Sequence, residues 1–242
     1  MKKLLVFTYG IICYAVFLGT FLYAIGFVGN IFVPKSIDSG TPATGISAVL
    51  INVLLLSIFA LQHSIMARPA FKKWWTKIIA PEIERSTYVL LASLALILMF
   101  WQWNSFDGIV WKADTTVLKY ALSALYFLGW IIVLLATFMI NHFDLFGLKQ
   151  VFYHFKNKPL NDPEFKTNWL YRIVRHPIML GFLVAFWATP VMTAGHLIFT
   201  ITTTAYILVA IKFLEERDLE KSIGNKYTAY KKQVPMLIPF TK

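Results

Sequence analysis

The chain has 242 residues, 58% of them apolar and only 14% charged, with a net charge of +11. A soluble domain carries roughly 25% charged residues, so the composition excludes an ordinary soluble enzyme. The basic excess comes without aromatics interleaved on a basic sheet face, which disfavours single-strand nucleic-acid binding and fits cytoplasmic loops of a membrane protein; no nucleic-acid partner is expected.

Lys2 and Lys3 precede an apolar stretch, Leu4–Val33. It is longer than a signal-peptide core and ends in no clear small-residue cleavage site, so it reads as a retained first helix. The single cysteine, Cys13, lies inside it, which leaves no intramolecular disulfide and no CxxC motif. Pro34 and the Gly40–Gly45 stretch form a turn-rich loop, and a second helix follows near Ile46–Met66. The next loop carries Arg68, Lys72, Lys73, Lys77 and Arg85, with Trp74 and Trp75 suited to the headgroup region. A third helix covers about Ser86–Phe106 and a fourth Thr116–Ile140. After the polar stretch Asn141–Arg175 come two shorter apolar segments, Pro177–Thr193 and Gly195–Ile211, each near the lower length limit for spanning. The tail from Lys212 is polar and partly helical, with a turn at Gly224.

This pattern predicts an all-α polytopic membrane protein forming one domain over residues 1–242. It has about six transmembrane helices, the last two a short hairpin, and a polar helical C-terminal tail. If the N-terminus is inside, only Lys35, Lys112 and Lys119 of the 23 Lys and Arg residues fall outside. That bias predicts both termini in the cytoplasm; the expected location is a bacterial inner membrane, crossed several times.

Polar residues cluster at one depth, the inner ends of the helices. Gln62 and His63 end the second helix, and Asn141, His142 and Asp144 end the fourth. Arg172, Arg175 and His176 precede the hairpin, and Lys212, Glu215 and Glu216 follow it. Ionisable groups at such depth are costly unless paired or wet, which marks them as candidate functional residues. Taken singly, each has a plainer reading: an arginine bound to lipid phosphate, a histidine capping a helix, a solvated acidic face. An Arg-His-Pro before a hairpin and Glu-Glu after it fit those readings poorly. A hairpin returns its ends to one place, where Arg175, His176 and Glu216 could pair and lower the cost of burial.

The segment Tyr171-Arg172-Ile173-Val174-Arg175-His176-Pro177, with Gly181, Glu215-Glu216 and the tail Gly224…Tyr227…Tyr230…Val234-Pro235…Pro239, resembles the isoprenylcysteine carboxyl methyltransferase superfamily. The stretches Phe59–Arg68, Ile83–Tyr88 and Asn141–Leu148 extend the likeness over most of the chain and resemble the methanethiol S-methyltransferases. One departure is Met179, two residues after Pro177, where the wider superfamily often has tyrosine. The resemblance implies a membrane enzyme moving a methyl group from S-adenosylmethionine to a small thiol, with S-adenosylhomocysteine as product. The C-terminal part, about 141–242, would hold the cofactor.

The residues can be matched to that chemistry. Arg172 or Arg175 suits the cofactor carboxylate. Glu216, beside Glu215, suits its ammonium or ribose, His176 can bond either end, and Tyr171 offers a ring and a hydroxyl. Gly181 lets cofactor or helix approach closely. No GxGxxG loop is present. The acceptor reacts best as a thiolate, so a base should help. His142 is the first candidate, with Asp144 or Asn141 fixing its tautomer, and His63 the second. Gln62 and Asn141 would face the thiol. No ligand set has convincing spacing for a metal. The alternatives are a larger thiol or a prenylcysteine carboxylate as acceptor, or a non-enzymatic transporter or assembly factor. A transporter is disfavoured by the lack of midplane charge and internal repeats.

Overall fold

The computed structural model describes residues 1–160, 165 and 167–241; Lys166 and Lys242, two of the basic residues assigned to the inner side, lie outside them. Helix α1 (Lys2–Gly29) ends where Asn30 takes a left-handed conformation and donates its N–H to Gly26. Helix α2 (Ile46–Ala67) stops at Arg68, which is extended because Pro69 follows it. Pro69 then starts the short α3 (Pro69–Trp75). Helix α4 (Pro81–Gln102) begins earlier than expected from hydropathy: Pro81 occupies its first turn, and Glu82 and Glu84 there complement the positive end of the helix. Helix α5 (Thr116–Ile140) starts where expected, with Thr115 accepting from the Leu118 N–H at 3.2 Å. At about 1.5 Å per residue these long helices match a hydrocarbon core of roughly 30 Å. Their outward leucines, isoleucines and phenylalanines, such as Leu54, Leu61, Ile131 and Phe138, are exposed as a lipid-facing surface should be.

Two short helices, α6 (His142–Leu145) and α7 (Leu148–Phe155), lie at the inner end of α5, and α8 (Leu170–Ile173) precedes the hairpin. The hairpin is not the matched pair read from the sequence. Its first arm, α9 (Pro177–Trp187), has only 11 residues, roughly 16 Å of helix. The rest of this arm is non-helical chain ending in the strand Val191–Thr193. This strand pairs antiparallel with Ile109–Lys112, setting Trp111 opposite Met192 and Lys112 opposite Val191. Ala113 N–H also donates to the Pro190 carbonyl at 2.8 Å. These bonds satisfy backbone that hydrocarbon would otherwise leave bare. The freed Phe186 carbonyl at the end of α9 accepts from His196 Nε2 and the Thr200 hydroxyl, at 3.0 and 3.1 Å.

The second arm is longer than expected. Helix α10 (Ala194–Ala210) runs through a π-helical segment (Ile211–Glu215) into α11 (Glu216–Ile223) before Gly224, with φ of 67°, ends it. No proline or glycine interrupts residues 196–223, so the polarity that begins at Lys212 does not stop the helix. Helix α12 (Asn225–Gln233) completes the tail. In the bundle, α1 packs on α4 and α7, α2 on α4 and α10, and α5 on α9. The largest core cluster gathers Phe27, Phe100, Trp103, Trp130, Phe186 and Phe199. The protein is thus a mostly helical, multi-pass membrane protein: among the described residues five helices are long and apolar enough to cross, and α9 is a shorter apolar one.

Candidate active site

The start of α9 and the middle of the α10–α11 helix meet as the hairpin argument requires. Arg175 donates Nε to Glu216 Oε1 at 2.7 Å and places its Nη2 2.6 Å from the same oxygen. His176 Nε2 lies 3.3 Å from that oxygen. On the other side of the carboxylate, Lys231 of α12 sits 2.9 Å from Oε2 and bridges to Glu220 at the same distance. The Arg175 and Glu216 side chains are only 8% and 5% exposed. The tail then folds back as a strap. Arg175 and His176 donate their backbone N–H groups to the carbonyls of Pro235 and Met236, and Arg175 Nη1 donates to those of Lys231 and Val234. Tyr230 donates its hydroxyl to the Tyr171 carbonyl.

The trio therefore converges, but its members bond mainly to one another. Arg175 and Glu216 form a buried frame with little capacity left for a ligand. Glu215 is different: its side chain is 42% exposed, and its nearest contact is His176 Nδ1 at 3.6 Å, a charge contact beyond hydrogen-bond length. Burial opposes a charge on His176, but the carboxylates of Glu215 and Glu216 outweigh it, so its pKa lies above the ordinary histidine value of 6.5. A raised folded pKa adds stability that is full below the unfolded value and lost as pH rises through the folded one. The thermal midpoint in detergent should therefore fall as pH climbs from 6 to 9. The fall should flatten in His176→Gln, and identical slopes in the two proteins would count against a charged His176.

Tyr171 stands beside this frame. Burial, then the charge of Glu215, raises the pKa of its hydroxyl, so it stays protonated. Arg172 is exposed, with Nε donating to the Thr167 carbonyl at 3.2 Å. Gly181 does not open space for a ligand. A Cβ there would sit 2.7 Å from the Gly129 carbonyl oxygen and 2.9 Å from the Val133 nitrogen, so the residue lets α9 and α5 touch backbone to backbone. Gly181→Val should cost at least the 1–3 kcal/mol typical of overpacking, about 3 kcal/mol here because the clash is with backbone. Gly19→Ala, with nothing within 4 Å, should be neutral; thermal unfolding of both variants checks the contrast.

The two candidate bases differ in their surroundings. His142 is buried, and burial lowers its pKa. Thr137 gives its hydroxyl proton to the Leu134 carbonyl at 2.7 Å, so its oxygen accepts from His142 Nδ1 at 2.8 Å. That tautomer leaves Nε2 to accept from the Tyr14 hydroxyl, also at 2.8 Å. Both ring nitrogens are occupied, and the ring stacks on Phe138; His142 ties α1 to α5. Asp144 does not orient it. Its carboxylate binds Lys149 and Gln150 at 2.9 and 2.8 Å. Asn141 instead accepts from the Asp144 N–H at 3.3 Å and caps α6.

His63 is less tied. Its ring stacks on Phe59, with centroids 5.2 Å apart, and meets one hydroxyl, Tyr88, at 2.9 Å from Nδ1 and 3.0 Å from Nε2. A single hydroxyl cannot serve both nitrogens well. Gln62 turns to α4, with Nε2 3.2 Å from Met66 Sδ and 3.5 Å from the Tyr88 carbonyl, and its buried Oε1 lacks a partner among the described residues. Sequence reasoning passed over Lys231, Tyr88, Tyr14 and Thr137. Only the tail motif around Tyr227 and Tyr230 hinted that α12 joins the site.

Comparison with known proteins places this geometry. The NnrU protein family model matches residues 51–239. The methanethiol S-methyltransferase of Mycobacterium tuberculosis is 54% identical over 240 residues, covering 99% of this chain and 98% of its own. Methanethiol S-methyltransferase 2 of Bradyrhizobium diazoefficiens is 54% identical, covering 98% and 91%, and the methanethiol S-methyltransferase of Crocosphaera subtropica 53%, covering 99% and 94%. No solved structure matches. Identity above half, sustained from end to end and joined to the family model, shows that the chain belongs to the NnrU family and, within it, to the methanethiol S-methyltransferases.

Proposed function

We propose that the protein transfers a methyl group from S-adenosylmethionine to methanethiol, giving dimethyl sulfide and S-adenosylhomocysteine. The observation that carries this reading is the Arg175–His176–Glu216 frame, built from segments 40 residues apart in a chain sharing more than half its residues with methanethiol S-methyltransferases. The residues fit a zwitterionic methyl donor. Glu215, half-exposed beside His176, suits the donor's ammonium or ribose; Tyr171 offers a protonated hydroxyl; and the exposed Arg172 suits its carboxylate. Arg175 and Glu216 then act as the scaffold that fixes His176 and Glu215.

The donor supplies a methyl carbon on a positively charged sulfur, open to in-line attack by a nucleophile. His63, with a ring nitrogen left over from its Tyr88 contact, takes the thiol proton as the acceptor sulfur bonds to carbon and the old carbon–sulfur bond breaks. The proton passes later to solvent. His142 holds the bundle together and takes no proton. Apolar walls around the reacting sulfurs weaken solvation of opposite charges that annihilate on transfer. The frame lies at the end of the bundle that holds all the described Lys and Arg residues but Lys35, Lys112 and Lys119, which supports a cytoplasmic site and cytoplasmic termini.

Protein purified in detergent, given S-adenosylmethionine and methanethiol, should release dimethyl sulfide into the headspace in step with S-adenosylhomocysteine. Folded protein that binds S-adenosylhomocysteine yet makes no dimethyl sulfide would overturn methanethiol as the acceptor.

A further inference from the structure

A cleft of about 320 Å³ opens on the lipid-facing side between α2 and α10. Ser57, Phe59 and Ala60 form one wall, and Thr202, Thr203 and Tyr206 the other. The walls mix Leu56, Leu61 and the two rings with the smaller Ser57, Ala60, Thr202 and Thr203, and two of the hydroxyls are turned inward to their own helices. Ser57 donates to the Val53 carbonyl and Thr203 to that of Phe199, each at 2.7 Å. A molecule in the cleft therefore meets little that would hold it by hydrogen bonds, as suits passage of a neutral, weakly bonding solute.

The inner end of the cleft is closed by two rings. Phe59 and Tyr206 face each other edge to face with centroids 6.5 Å apart. Phe59 is one helical turn from His63 and stacks on its imidazole at 5.2 Å. Tyr206 is held in place by its hydroxyl, 3.0 Å from the Ser64 hydroxyl, and Ser64 is the residue after His63. The cleft thus leads from the lipid face toward the ring proposed to take the thiol proton, with this aromatic pair between.

We propose that the α2–α10 cleft is the entrance by which a small, uncharged thiol reaches the site from the lipid phase, and that Phe59 and Tyr206 set the size of the acceptor. The inference rests on the methyl-transfer reading and on His63 as base. Methanethiol suits this route, being apolar and mostly protonated at neutral pH, since alkyl thiols are weak acids, so it partitions into lipid as the neutral form. A lipid acyl chain resting in the cleft is the competing occupant, and it predicts no effect on acceptor kinetics.

The experiment compares methanethiol with propanethiol in wild type and in Phe59→Ala, with S-adenosylhomocysteine affinity measured by calorimetry on the same preparations. Phe59→Ala should raise kcat/KM for propanethiol relative to methanethiol at least tenfold, with S-adenosylhomocysteine affinity within twofold of wild type. An unchanged ratio in folded, binding protein would overturn the gate. Ala60→Trp adds bulk on the lipid side of the cleft and covers the case in which Phe59→Ala does not fold. It should raise KM for methanethiol about tenfold while leaving S-adenosylhomocysteine affinity alone, and a KM within twofold of wild type would mean the thiol enters elsewhere or the cleft holds lipid only. Failure of the methyl-transfer reading is separate: wild type would then make no dimethyl sulfide.

Discussion

Glu216→Gln is expected to destabilise the protein by about 3–5 kcal/mol, the cost of stranding one side of a buried ion pair, and to abolish S-adenosylhomocysteine binding. The carboxylate has one oxygen shared by Arg175 and His176 and the other held by Lys231. The neutral amide leaves the Arg175 guanidinium, 8% exposed, without a counter-charge where solvent cannot replace it. Its strap contacts to Lys231 and Val234 then hold a cation that nothing neutralises. Lys231→Met is the internal comparison. Lys231 is 38% exposed, so its loss should cost no more than about 1 kcal/mol, as for other solvated pairs. Thermal unfolding in detergent, paired with calorimetric titration, reads both quantities; equal stability and unaltered affinity in Glu216→Gln would remove the frame from the argument.

His63→Ala is expected to slow methyl transfer by roughly 100- to 10,000-fold, the range for a lost general base, with S-adenosylhomocysteine affinity little changed. The deficit should shrink steadily as pH climbs beyond about 9, as a growing fraction of the alkyl thiol, less acidic than free cysteine, ionises without help. His142→Gln should behave otherwise. It breaks the Tyr14 and Thr137 contacts that join α1 to α5, so it should lower thermal stability, and its activity loss should not recover at high pH. A pH-dependent recovery in His142→Gln and none in His63→Ala would exchange the two roles.

The helices that the sequence shows best are those whose ends have local causes. Thr115 caps α5, and both ends of that helix lie where apolarity places them. The convergence of Arg175, His176 and Glu216 also follows from sequence, because a hairpin returns its ends together. Three features did not, each for a physical reason. Proximity in the chain pairs Asp144 with His142, but Asn141, with φ of 170° and ψ of 90°, breaks the helix between them and α5. The imidazole is carried back to Thr137 and the carboxylate out to Lys149. The run Val191–Thr193 is apolar enough to be helix, and only pairing with Ile109–Lys112 makes it a strand. The strap around Pro235 and Met236 rests on contacts across some 60 residues of chain, to which local pattern is blind.

The π-helical segment Ile211–Glu215 has a consequence for how relatives are compared. A π turn accommodates one residue more than an α turn, and each residue in a helix advances its phase by about 100°. Removing a single residue between Ala210 and Glu216 would let the segment relax to ordinary helix with every later side chain close to its present phase, so the acid would still meet His176, whereas the same deletion in the α-helical stretch before Ile211 would swing them by about that angle. The arm thus tolerates a one-residue difference in length at the π turn and nowhere else along it. In a homologue one residue shorter here, a gap within these five positions keeps Glu216 in register, while a gap placed beyond Glu216 pairs the wrong glutamate, so such homologues should be judged by helical phase.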